Sequence, residues 1–375
     1  MNKTRTSLLR KDGVQTILAS LLCILGGLLM GYLVLLVIKP SGAAGAITAI
    51  LRNFYKYPNE KMQMKYLGQC LVRTAPLLMC ALSVLFAYKV GIFNIGAAGQ
   101  YVAGACAALY CALGLKLPWY TCMLAAIAAG ALLGVISGVL KIFCNVNVVI
   151  SGIMLNWIAL YATNWILSPV KKPAAPDTLE LLGNNNDALL PKMGLHTFFN
   201  NEKHVTIAIP LALILAVVIW VVLNKTKFGY ELKATGNNYH AAKYCGMKEN
   251  RNILLTMIIS GGLAGLGASM LYQTGIVGWE TTAASVPAMG FNGIAVAFLG
   301  GLNPLGSILS AFFIQYLTAG GGFVDLTVYC AQISDLIAAI IIYLCAFVMF
   351  FKYKISSGLD RLDERKVHKQ GGDAK

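Results

Sequence analysis

The side chains in this sequence with chemistry to offer are amides and aromatic rings, not acids, bases or nucleophiles. Two of the amides, Asn94 and Gln100, stand in the run Gly91-Ile92-Phe93-Asn94-Ile95-Gly96-Ala97-Ala98-Gly99-Gln100, which joins two strongly apolar stretches. Its glycines permit backbone conformations closed to other residues. Irregular backbone between such stretches survives at membrane depth only where protein or a water-filled path receives its polar groups. On residue type alone, a polar path for a solute and a short turn with a small-residue packing face stand level.

A second set of amides is Asn145-Val146-Asn147 followed by Asn156-Trp157. Asparagine inside an apolar helix needs partners, and gluing helices together is its commoner use; lining a polar path is the alternative. Trp157, Tyr161 and Trp165 form an i, i+4, i+8 stripe beside them. Such a stripe is more often packing or an interfacial aromatic belt than a stacking platform. Asn94, Gln100, Asn147, Asn156 and Trp157 are the candidate path residues.

The third segment, Phe228 to Met247, is polar and lies between apolar runs. Asn238 suits a helix N-cap, Ala241, Ala242 and Cys245 share one face, and Gly246 suits the C-terminal stop. A two-turn helix with a small, neutral face has nothing to bury itself against in lipid, and it suits the groove of a partner protein. Resting on the membrane interface is the blander alternative. A fourth segment, Gly290 to Gly300 ending in Asn303-Pro304-Leu305-Gly306, faintly echoes the spacing from Pro76 to Asn94-Ile95-Gly96. Echoes of this kind occur in transporters built from repeats.

Several chemistries are missing. There is no GxxxxGK[ST] for nucleotide phosphates, no HExxH and no nucleophile elbow. His196, His204, His240 and His368 lie outside the apolar runs, and Glu280 and Asp335 fall near helix ends. A proton- or sodium-driven carrier normally needs an ionisable group within the membrane. The chain therefore reads as no enzyme, with no metal site and no cofactor of its own, and a self-sufficient secondary carrier is left as a weaker alternative.

The elements that must position these residues follow from composition. The chain has 375 residues, 58% hydrophobic and only 12% charged, with mean hydropathy +0.69. A soluble domain carries about a quarter of its residues as charges, and a span needs about 20 apolar residues. Apolar runs predict helices near 15–38, 68–88, 95–114, 119–143, 147–167, 205–223, 253–273, 288–301, 305–319 and 332–351. The expected fold is an all-α membrane protein, a polytopic bundle of about ten transmembrane helices. The stretch from Gln15 to Ile38 is longer than the 7–15 residues of a signal-peptide core, so it reads as a retained first helix.

The net charge of +15 is not a nucleic-acid patch, because the basic residues are scattered in short segments between apolar runs. Most fall at the N-terminus, at Lys89 and Lys141, in 224–252 and after Phe351, which places both termini in the cytoplasm by the positive-inside rule. The organisation expected is a cytoplasmic tail (1–14), a transmembrane body (15–351) and a charged, partly disordered cytoplasmic tail (352–375). The body carries an irregular external loop at 168–204 and a cytoplasmic loop at 224–252, and 39–73 reads as a further external connection. Ten cysteines with no CxxC pair give no zinc or redox motif, and most sit in apolar runs as small hydrophobes.

Together these segments resemble the permease subunits of ATP-binding-cassette (ABC) importers, in the family shared by ribose, nucleoside and branched-chain amino acid uptake systems. Gly91–Gln100 is similar to the nucleoside-type signature GLFNIGAEGQ, and Ala234–Met247 to the coupling segment AxGxNxxAAxYxGI. Asn147 through Asn156 is similar to the NEVI…IMLN element, and Gly290–Gly300 with Asn303, Pro304 and Gly306 to the late family motif. The likeness spans roughly residues 15–350. It implies a permease that passes a nucleoside or similar small polar solute inward, with a simple sugar as the alternative substrate. It also implies two ATPase subunits that use ATP and grip Asn238–Gly246. Gly236, Asn238, Ala241, Ala242, Tyr244 and Gly246 become the coupling residues. The implied partners are a second, distinct permease and an extracytoplasmic solute-binding lipoprotein, in a bacterial plasma membrane. Two positions depart from the pattern: Ala98 and Val148 stand where the family commonly has Glu.

Overall fold

The computed structural model describes residues 12–170, 177–325, 327–330, 332–345, 347, 348 and 350–358. Nearly all of the first tail and most of the last lie outside them, as do Pro173 and Pro176 of the long loop. All ten apolar runs are helical. They are α1 (Asp12–Ile38), α3 (Glu60–Tyr88), α4 (Ala97–Leu109), α5 (Trp119–Phe143), α6 (Val148–Leu167), α8 (Ala208–Lys225), α11 (Glu249–Tyr272), α12 (Ala288–Leu299), α13 (Pro304–Gly320) and α14 (Ile333–Cys345). Among the described residues, seven helical stretches are long and apolar enough to cross a membrane, α12 and the middle of α14 being shorter apolar helices. The remaining helices are α2 (Pro40–Arg52), α7 (Leu195–Phe198), α9 (Lys227–Asn237) and α10 (Tyr239–Tyr244).

Two connections are more ordered than the sequence suggested. The stretch 39–73 is not a loop: it holds α2, started by Pro40 at its first position, and the first turns of α3, where Asn59 caps by accepting from the Lys61 amide. The described part of the long connection, from residue 177 to 204, is tied down by a two-residue strand, β1 (Thr178–Leu179). It pairs antiparallel with β2 (Trp279–Glu280), Thr178 opposite Glu280.

Helices α3 and α11 form the core of the bundle. Helix α11 packs on α5 through glycines: a methyl group at Gly130 would strike the Gly261 carbonyl, and one at Gly134 the Met257 carbonyl. Close backbone contact between small residues is how helices associate where lipid supplies no hydrophobic drive. The short α12 and α13 fold back on each other around Gly300–Asn303. Gly301 there has φ +65, Asn303 caps α13 through the Leu305 amide, and the Ser310 hydroxyl donates to the Val296 carbonyl at 2.8 Å. The Asn303-Pro304 junction is therefore a tight helical hairpin.

Helices α1 and α14 lie antiparallel, Gly27 against Ile341 and Gly31 against Ile337, so the start of one and the end of the other share one end of the bundle. The Ser20 hydroxyl bonds the Leu299 carbonyl there, and Tyr88 packs edge-on against Phe298. That end carries α9 and α10; the opposite end carries α2, β1, β2 and α7.

Candidate functional site

The run from Gly91 to Gln100 folds as a break between α3 and α4. Gly91 takes φ +75, a left-handed value that strains any residue with a β-carbon, and the chain turns so that Asn94 points into the bundle, fully buried. Its Nδ2 donates to Gln100 Oε1 at 2.9 Å and to Ser260 Oγ at 2.8 Å. Ser260 Oγ in turn donates to the Ser83 carbonyl at 2.8 Å and lies 2.9 Å from Ser83 Oγ. One amide thus ties α3, α4 and α11 together. Asn94 Oδ1 and Gln100 Nε2, one acceptor and one donor, have no partner among the described residues.

Helix α6 completes the hub from the other side. Helix α4 is preceded by Gly96, which has no side chain to cap it. Asn156 supplies the missing acceptor: its Oδ1 takes the Gly99 amide at 2.7 Å, and its Nδ2 donates to the Ile95 carbonyl at 3.2 Å. An exposed helix start would be capped by its own Ser, Thr, Asn or Asp; here the cap comes from a neighbouring span. The contact needs glycine, because a methyl group at Gly99 would meet Asn156 at 2.7 Å and one at Gly152 would meet the Gly96 amide at 2.8 Å. Helix α12 closes the ring, Gly290 resting on Ala98.

The coupling segment touches this hub. Gly236, near the end of α9, packs on the Lys89–Gly91 turn. Its neighbour Thr235 receives a hydrogen bond from Asn252 Nδ2 of α11 at 3.0 Å. Burial, with the nearby Lys233 ammonium second, pulls the Lys89 amine below its ordinary pKa. Helix α10 has the expected caps: Asn238 Oδ1 accepts the Ala241 amide at 3.0 Å, and Gly246 takes φ +76. Ala242 is buried, whereas Ala241 and Cys245 are exposed and Tyr244 is 93% exposed. The face predicted as Ala241, Ala242 and Cys245 thus divides between bundle and solvent.

Of the candidate path residues, the structure brings Asn94, Gln100 and Asn156 together. Asn147 lies apart, exposed at the end of α6, where it caps that helix through the Val149 amide at 2.9 Å. Trp157 lies on the outer face of α6, stacked on Tyr161 with ring centroids 6.1 Å apart and planes at 23°. Sequence reasoning passed over Ser83 and Ser260, although lone hydroxyls in apolar spans were the available signal. It also passed over α9, whose start is marked by Thr226, accepting from the Gly229 amide at 3.1 Å. The echo between the Pro76 and Pro287 segments is one of shape: each proline is followed by 12 helical residues, the second half of α3 in one case and all of α12 in the other, and then by a glycine turn and an asparagine. The asparagines differ in role, Asn94 in the hub and Asn303 as a cap.

The structure is a polytopic helical bundle, tied at its centre by uncharged amides and hydroxyls and presenting an exposed helix at one end. Residues 66–346 match the family described as "Branched-chain amino acid transport system / permease component", and this chain belongs to that family. It is 32% identical to the guanosine ABC transporter permease protein NupP of Bacillus subtilis (strain 168), over 88% of this chain and 93% of that protein. It is 31% identical to the nucleoside ABC transporter permease protein NupB of Lactococcus lactis subsp. cremoris (strain MG1363), over 68% and 71% of the two. The glucose ABC transporter permease protein TsgB13 of Haloferax volcanii is 28% identical over 82% and 84%. The chain is a multi-pass membrane permease subunit of the ABC class, not an enzyme.

Proposed function

We propose that this permease passes a nucleoside inward across a bacterial plasma membrane, through a path between itself and a second, distinct permease subunit. The observation that carries the mechanism is the seating of Gly236 on the Lys89–Gly91 turn. It joins the element offered to a partner with the turn that leads directly into the Asn94 hub. ATPase subunits using ATP would grip α10, with Tyr244 as the exposed contact. Their closure would move α9 against the turn and re-seat α4 relative to α3, α6 and α11. The chain itself binds no ATP. An extracytoplasmic solute-binding lipoprotein would deliver the nucleoside to the end carrying α2, β1 and β2. The relatives that transport guanosine and nucleosides support this substrate class.

The test is co-expression with an ABC ATPase, a second nucleoside-type permease and a solute-binding lipoprotein from the same organism, followed by proteoliposome uptake. ATP-dependent accumulation of labelled guanosine or uridine is expected. Solute uptake by this chain alone, without an ATPase, would refute the mechanism. The relative that transports glucose supports a simple sugar as the second reading; excess ribose or glucose abolishing label uptake would favour it.

A further inference from the structure

The face of α6 that bears Trp157 meets a stretch of chain with no regular structure. Residues 281–287, between β2 and α12, are neither helix nor strand. They run along α6: Asn164 Nδ2 donates to the Ala283 carbonyl at 2.9 Å, and Asn164 Oδ1 accepts from Trp279 Nε1 at 3.1 Å. Further along, Ser285 and Val286 reach the level of Asn156 and Trp157. Asn156 is about 12 Å from the start of the 20-residue α6, close to its middle. Helix α12 thus begins near mid-depth, and the backbone leading to it is bare there, Ala284 and Ser285 being exposed. Non-helical backbone at such depth is tolerated only against protein or water. This face of the subunit therefore does not look onto lipid.

Between α6 and that segment lies an open cleft of about 270 Å³, lined by Ile153, Asn156, Trp157, Ser285, Val286 and Phe291. Its chemistry is two half-exposed aromatic rings, Trp157 and Phe291, one amide and one hydroxyl, with no charged group among the lining residues. The Trp157 ring is backed by Tyr161. Asn156 is held by the Gly99 amide and the Ile95 carbonyl, which uses one lone pair of Oδ1 and one N–H of Nδ2. Asn156 is 2% exposed, so it forms the closed back of the cleft, and the exposed Ser285 is the polar group at its mouth. The volume falls below the 300–1,000 Å³ of pockets that enclose a whole ligand, so the cleft fits a flat heterocycle and leaves the rest of the solute to the facing subunit.

We propose that this cleft receives the base of the transported nucleoside, stacked on Trp157 and Phe291 with the exposed Ser285 beside its edge. The proposal rests on the nucleoside reading above. It also moves the contact with solute from the enclosed Asn94–Gln100 pair to the outward face of α6.

The experiment uses the complete transporter in proteoliposomes, with labelled guanosine as probe. Alanine in place of a stacking ring costs about 5- to 150-fold in affinity, so Trp157→Ala and Phe291→Ala should each raise the KM for guanosine within that range. Trp157→Phe, which keeps a ring, should stay within roughly 3-fold. As a readout that needs no variant, 8-azidoguanosine should photolabel peptides of α6 or residues 281–299, and excess guanosine should prevent it. If the wild type carries guanosine but both alanine variants keep its KM and the label maps elsewhere, the cleft assignment is overturned while the nucleoside reading stands. If the wild type carries ribose or glucose and no nucleoside, both fall.

Discussion

Replacing Gly236 by alanine adds one methyl group where the coupling segment meets the bundle. That carbon would strike the Lys89 carbonyl oxygen and lie 2.9 Å from the Val90 carbonyl carbon and 3.0 Å from the Gly91 amide. All three obstacles are backbone, so none can swing aside as a side chain would. Forcing a methyl into a packed contact costs about 1–3 kcal/mol. Here the relief is for α9 to lift from the turn, because Gly236 is the next-to-last residue of that helix. At 1.4 kcal/mol per tenfold, the substitution disfavours the seated geometry by about 5- to 150-fold. The contact proposed to grip the ATPase is elsewhere, on α10, so Gly236→Ala should still co-purify with the ATPase. Guanosine taken up per ATP hydrolysed, measured in proteoliposomes, should fall by about tenfold or more. Gly246→Ala is the comparison: nothing lies within 4 Å of its added methyl, and only its φ of +76 is at odds with a side chain. Its cost of about 1–2 kcal/mol is local to the end of α10. A Gly236→Ala complex with the wild-type ratio of uptake to hydrolysis would refute force transmission through this contact.

Three further outcomes follow from the same geometry. Tyr244→Ala removes a side chain that is 93% exposed, so thermal stability should shift by no more than about 0.5 kcal/mol while the ATPase is lost on size-exclusion chromatography; retention of the ATPase would remove Tyr244 from the interface. Asn156→Leu leaves the Gly99 amide and the Ile95 carbonyl without their partner and should cost about 1–3 kcal/mol, read as a lowered unfolding midpoint in detergent. Asn94→Ala and Ser260→Ala, combined in a double-mutant cycle, should show a coupling near 0.6 kcal/mol and not above about 1.7 kcal/mol, the span measured for hydrogen bonds within membranes; additive effects would mean that their 2.8 Å contact contributes nothing.

What was legible in the sequence was whatever follows from local residue type. Apolar runs marked the helices of the bundle because lipid admits few alternatives to a long apolar helix, although only seven helical stretches among the described residues are long and apolar enough to span. Asn238 and Gly246 marked α10 because caps are short-range chemistry. The hub was only half legible. Asn94, Gln100 and Asn156 stood out as amides in apolar surroundings, but which of them meet depends on how α4 packs against α6 and α11, and one sequence carries no trace of that. Asn147 looked equivalent to Asn156 and is only a cap, because it precedes the first turn of α6 where Asn156 faces its neighbour in the middle. Residues 281–287 carried no signal of depth: a polar loop outside the membrane and bare backbone within it have the same composition.

The two missing carboxylates can be placed in the same terms. Val148 is the first residue of α6. A glutamate there would act on the positive end of the helix dipole, worth about 0.3–1 kcal/mol, so its absence bears on the stability of the start of α6. Ala98 is different, enclosed at the start of α4 with the Gly290 backbone seated directly on it. A glutamate there would have to push α12 away from α4, and Phe291, the next residue of α12, would move with it. Ala98 and Gly290 are therefore a matched small pair that lets α12 come close and sets the width of the cleft beside α6. Under the cleft proposal, the departure at residue 98 would act on specificity through the position of an aromatic ring, at one remove from any charge.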